Sequence, residues 1–221
     1  MMEGKDPRVP LLVGIALLGV LIVAGIVWAV FFIPEDAGRG RIDYNASFND
    51  EGDPSFGPAD AKVVVRMFED FQCPACKAAK AGLDYAKRTY GDRVKFVWND
   101  FPLEQIHKNA RAAANAARCA EAQGKFWEMN DLLYDFQSNW AELRDPTDEL
   151  MKLAEKIEIN PTVWLGCLKN KEFDDKISAD SSEARANRVD STPTFFIGNK
   201  RIIGGLTPAQ WDGEIKAQLG E

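Results

Sequence analysis

The chain is 221 residues long and 46% hydrophobic, enough for one good-sized core beside a short extra segment. Its formal net charge is −7, and because Lys5 and Arg8 balance Glu3 and Asp6, the whole of it belongs to residues 34–221. So acidic a domain is a poor electrostatic partner for nucleic acid or anionic lipid, and no nucleic acid is expected.

Residues 1–10 form a short tail, followed by an uninterrupted apolar run from Leu11 to Ile33. As a helix this run reaches about 34 Å, the thickness of a bilayer's hydrocarbon core. A cleaved signal peptide has a shorter apolar region that ends in small residues, whereas this one ends in Trp28, Phe31 and Phe32. The run therefore reads as a single transmembrane anchor. Lys5 and Arg8 before it and Arg39 and Arg41 after it leave the charge rule for orientation undecided.

Residues 34–60 are rich in Gly, Pro, Asp and Asn and read as a linker, with Tyr44, Phe48 and Phe56 able to pack onto the domain beyond it. From residue 61 to 220 strand and helix patterns alternate. "KVVVRMF" (62–68) is the apolar, β-branched run of a strand covered on both faces. A helix from Pro74 to about Tyr90 and a second strand, "VKFVWNDF" (94–101), come next. The pattern is helical from Gln105 to Leu168, and Asp145-Pro146, Asn160-Pro161 and Thr207-Pro208 each set a capping residue before a first-turn proline. "TFFI" and "KRIIG" form a hairpin about Gly198-Asn199, and a last helix runs from Pro208 to about Leu219. The order describes an α/β sheet protein with a helical insertion at about 104–188.

Cys73 and Cys76 lie in "FQCPACKAAK" (71–80), between the first strand and the first helix. Cys73 directly precedes Pro74 and is therefore the helix N-cap, where free N–H groups and the helix dipole favour a thiolate. Cys76 comes three residues later on the same face within bonding reach, which suits a dithiol that opens and closes. Structural zinc needs four ligands, usually in two close pairs, and Cys119, Cys167 and the single histidine, His107, are scattered. No metal and no cofactor are expected. An inert bridge is the remaining alternative, although one closing so small a loop constrains the unfolded chain little. In "DSTPTFFIG" (190–198), Pro193 sits before a buried-looking strand; by itself it reads as a trans proline opening an edge strand.

"FEDFQCPACK", "VWNDFPL", "HKNARAAANAARCAEAQGKFWEMNDLLY" and "STPTFFIGNKRIIGG" occur in the order and approximate spacing of DsbA-like thiol:disulfide oxidoreductases of the thioredoxin superfamily. The resemblance covers roughly residues 60–220. It implies a thioredoxin fold with an inserted helical domain, a redox pair at Cys73 and Cys76 framed by Pro74 and Ala75, and a cis peptide before Pro193 facing that pair. It also implies that the Thr192 backbone pairs with an extended substrate segment.

The sequence departs from the family at two places. Many relatives carry Glu six residues before the first cysteine, beneath the pair, where it helps move protons; Met67 stands there in this chain. Glu69 and Asp70 point to opposite faces by strand alternation, so Asp70 is the candidate proton relay and Glu69 reads as a solvated surface carboxylate. The strongest oxidants of the family have His between the cysteines, a cation that Pro74-Ala75 lacks. Some relatives bridge the helical block, which implies a structural disulfide between Cys119 and Cys167 worth about 4 kcal/mol in the chain-entropy model; the alternative is two buried thiols.

The resemblance implies a membrane-tethered oxidase on the extracytoplasmic side of the cell membrane, acting on unfolded or reduced exported proteins. A membrane protein of the DsbB or VKOR type is the implied reoxidant. An isomerase or reductase kept reduced, and a chaperone or metal-centre assembly module, remain as alternatives.

Overall fold

In the computed structural model of the chain, the described residues are 18–21, 23–24, 28 and 46–221. The backbone divides into Met1–Arg41 and Ile42–Glu221. Residues 18–21, 23, 24 and 28 are helical; the rest of the apolar run expected to cross a membrane, and the tail before it, lie outside the described residues. No helix among the described residues is long and apolar enough to span a bilayer.

The second unit is built on a five-stranded sheet in the order β1-β3-β2-β4-β5, with β1 Ser55–Phe56, β2 Val63–Glu69, β3 Val94–Asp100, β4 Thr194–Ile197 and β5 Lys200–Ile203. β2 and β3 are parallel, from Val63 opposite Val94 to Glu69 opposite Asp100, and α1 (Pro74–Tyr90) crosses between them. β4 runs antiparallel to β2, with Phe68 opposite Thr194, and hairpins into β5. Strand alternation divides the core: Val65 and Met67 enter the larger apolar cluster, while Phe68 joins Phe196, Phe101, Ala184 and Val189 on the other side.

Between β3 and β4 the chain inserts α2 (Ala110–Glu121), α3 (Phe126–Asp135), α4 (Gln137–Trp140), α5 (Thr147–Ala154), α6 (Pro161–Asn170) and α7 (Asp174–Ala186). The continuous helical pattern is thus cut into short pieces. One break lies after Glu121, where Gly124 turns the chain at φ +72°. The Asn160 side chain accepts from the Thr162 and Val163 N–H groups, and Thr207 forms a capping box with Gln210 at the start of α8 (Pro208–Leu219). α5 starts one residue later than its capping pair implied, because Pro146 itself occupies the N-cap position.

Residues 46–60, read from sequence as linker, are part of the folded unit. Phe48 meets Phe196 and Phe68 at 4.9 and 6.0 Å between ring centroids, Asp50 pairs with Arg66 at 2.7 Å, and β1 adds to the edge of β3. Polar composition suggested a linker, but Asp50 and Asp53 are neutralised by cations of the domain.

Candidate active site

The turn after β2 carries the two cysteines. Cys73 is the N-cap of α1 in extended conformation, φ −69° and ψ 122°, and Pro74 takes the first helical turn. Both thiols are free, with Cys76 fully buried and Cys73 7% exposed, so the nucleophile expected to stand open is nearly covered. Pro74 and Ala75 are exposed and mark the open side. The Thr192–Pro193 peptide is cis, and the Cys73 thiol donates to the Thr192 carbonyl at 3.5 Å.

The two thiols have opposite affinities for a proton. A hydrogen bond from the Cys76 thiol, helped by the backbone N–H groups of Cys76 and Ala75, pulls Cys73 down to about 5 against the burial that opposes it. Burial pushes Cys76 well above the ordinary thiol value, and the hydrogen bond it gives to Cys73 adds to that.

Glu69, expected at the surface, is 2% exposed and lies against the Cys76 thiol. The strand does place Glu69 and Asp70 on opposite sides, but α3 closes over the Glu69 side. Burial raises Glu69 to about 8, so it is protonated at neutral pH. The Tyr134 hydroxyl donates to its Oε2 at 2.7 Å, and Oε1 makes no formed hydrogen bond.

Asp70, the expected relay, has its carboxylate engaged in the hydrogen bonds of the turn. Its Oδ1 accepts from the Gln72 N–H at 2.7 Å, and its Oδ2 accepts from the Leu103 N–H at 2.8 Å and meets His107 Nδ1 at 2.7 Å. His107 thereby anchors the loop after β3. Met67 is buried in the sheet opposite Trp98.

The helical insertion contributes residues that the sequence did not single out. Gln137 Nε2 donates to the carbonyls of Phe71, at 2.7 Å, and Cys73, at 3.2 Å. Gln72 accepts from the Asn109 N–H and donates to the Ala141 carbonyl, both at 2.7 Å. Nothing in the sequence marks Gln137 and Tyr134 as buried or names their partners, because Asp131, Asp135, Ser138 and Asn139 beside them are equally polar. Away from the cysteine pair, Cys119 and Cys167 form a disulfide between α2 and α6.

A sequence profile described as thioredoxin matches residues 49–217. The Na(+)/H(+) antiporter NhaA 3 of Salinispora tropica is 35% identical over 168 residues, which take in 76% of this chain and 25% of that protein. NhaA 1 of Mycolicibacterium gilvum is 29% identical over 201 residues, 87% of this chain and 31% of that protein. The chain thus spans about a quarter to a third of the length of these curated relatives. Among solved structures, oxidised BdbD from Bacillus subtilis gives a TM-score of 0.71 at 23% identity, covering 80% of this chain and 97% of that one. The thiol-disulfide exchange protein α-DsbA2 from Wolbachia pipientis gives 0.67 at 19%, covering 76% and 88%. At those identities the structural likeness speaks for the fold, and the profile, matching 49–217, speaks for descent: the chain belongs to the thioredoxin family.

Proposed function

We propose that this protein is a thiol:disulfide oxidoreductase that donates the Cys73–Cys76 disulfide to reduced exported proteins. A substrate thiolate attacks Cys73 Sγ, forming a mixed disulfide and breaking the Cys73–Cys76 bond. Cys76 leaves as a thiolate, and because burial makes that charge costly it takes the proton of Glu69. A second substrate thiolate attacks the substrate sulfur of the mixed disulfide, forming the substrate's own disulfide. Cys73 departs as a thiolate, Cys76 remains a thiol, and two electrons have passed from substrate to protein.

The observation that carries this reading is the split between the two thiols. A Cys73 held as thiolate stabilises the dithiol form, and a stabilised dithiol makes the disulfide a stronger oxidant. The Thr192 backbone beside Cys73 offers polar groups to an extended substrate segment. The apolar run 11–33 supports a tether that holds the domain on the extracytoplasmic side of the cell membrane, near a membrane reoxidant of DsbB or VKOR type.

Equilibrating Cys73–Cys76 with glutathione buffers tests the direction of electron flow. A potential more positive than about −150 mV is expected, whereas one near the thioredoxin value of about −270 mV would assign a reductase or isomerase kept reduced.

A further inference from the structure

The geometry points to Tyr134 as a positioning residue of the exchange reaction: its hydroxyl, supplied by the helical insertion, occupies Glu69 Oε2 and so leaves Oε1 as the oxygen that carries the transferable proton. This rests on the reading of Glu69 as the proton donor to Cys76 and adds what decides which oxygen donates.

Donors and acceptors around the carboxyl fix where its proton sits. The Tyr134 ring is 2% exposed and fixed against Phe71 and Trp98, with centroids 5.3 and 6.4 Å away. Its oxygen lies 2.7 Å from Glu69 Oε2. Burial and the nearby carboxylate raise the phenol well above its ordinary range, so it keeps its proton and acts as donor to Glu69 at every pH at which the protein works. A neutral carboxyl accepting at Oε2 carries its own proton on Oε1, the oxygen free of any formed hydrogen bond. Once Glu69 has given that proton to Cys76, the same phenol bond stabilises the carboxylate left behind.

Among the described residues, the charged and titratable groups that act most strongly on Glu69 are Tyr134 of α3 and Cys73, Cys76 and Lys87 of α1. Lys87 stands over the Trp127 ring at 3.6 Å. Only Tyr134 is seen to donate a formed hydrogen bond to the carboxylate among the described residues.

The test is the rate at which dithiothreitol reduces the Cys73–Cys76 disulfide of the full chain in detergent, corrected for ionised dithiothreitol, as a function of pH. The corrected rate is expected to fall through an alkaline limb as Glu69 loses its proton. Removing a hydrogen bond that favours the carboxylate, in Tyr134→Phe, is expected to move that limb up by about one pH unit, the worth of a charge-assisted hydrogen bond. The midpoint for alkylation of Cys73 by iodoacetamide stays in place. In Glu69→Gln the limb disappears, and adding Tyr134→Phe to that variant changes nothing further.

Should Tyr134→Phe fail to fold, biosynthetic replacement of tyrosine by 3-fluorotyrosine makes the phenol a stronger donor and is expected to move the limb down. A limb that stays put in the folded variant or in the fluorinated protein overturns the inference, as does a shift that persists without Glu69. A wild-type disulfide that dithiothreitol reduces with no alkaline limb, together with a Cys73 that alkylates near the free-thiol value of about 8.5, overturns instead the reading on which it rests.

Discussion

In the reduced protein, folding holds Cys73 at about 5 against an ordinary value of 9.0, and Glu69 at about 8 against 4.5. The depressed thiol contributes stability that is present above 9.0 and lost as pH falls through about 5. The raised carboxyl contributes stability that is full below 4.5 and lost as pH rises through about 8. Between those limits the two slopes oppose each other, and Cys76, well above 9.0, stays protonated and adds none. Glu69→Gln removes one of the two. The urea midpoint of the reduced variant is therefore expected to rise from pH 5 to 8 more steeply than that of reduced wild type. Parallel curves would mean that Glu69 already carries a charge at neutral pH.

At the scale of elements, the bridge between Cys119 on α2 and Cys167 on α6 closes a loop with a sequence separation of 48, and both cysteines are buried. Replacing both by Ala lengthens the reach of the unfolded chain and is expected to lower stability by about 4 kcal/mol in urea titration. A loss under about 1 kcal/mol would place the helices' cohesion in their apolar packing alone. The elements themselves were legible where their signals are local: the strand runs at 63–69 and 94–100, the proline-capped helix after Cys73, the hairpin about Gly198-Asn199. What sequence could not supply is the cover each face receives. Alternation separates Glu69 from Asp70, but the Tyr134 hydroxyl that meets Glu69 lies 65 residues away in the chain. The same holds for Gln137, whose amide reaches Phe71 and Cys73 over more than sixty residues. A composition rich in Gly, Pro and Asp likewise says nothing of the cations waiting for residues 50 and 53.

Across the whole folded unit, Asp53 enters a buried network that ties three parts of the chain together. The Arg118 side chain on α2 is fully enclosed; it reaches Asp53 of the N-terminal segment at 2.9 Å, Asp100 at the end of β3 at 2.6 Å and Asp180 of α7 at 2.7 Å. It also donates to the Gly52 carbonyl at 2.8 Å, while Glu121 adds a partner at 3.2 Å and Lys176 bridges Asp53 and Asp180. Asp100 closes the strand whose following loop reaches Asp70, so the network borders the support of the cysteine turn. Replacing Arg118 by Met keeps the volume but strands carboxylates that have little but Lys176 to neutralise them. The expected loss is about 3–5 kcal/mol, the usual consequence of removing one member of a buried pair. Without the guanidinium the stranded carboxyls bind protons more tightly in the folded state, so their contribution is full at low pH and falls as pH rises. The loss measured by urea unfolding is therefore expected to be smaller at pH 5 than at pH 8. An equal loss at both would show that Arg118 acts through the packing of its stem, and a loss near zero would show that the segment from residue 46 stays docked through Phe48 and β1.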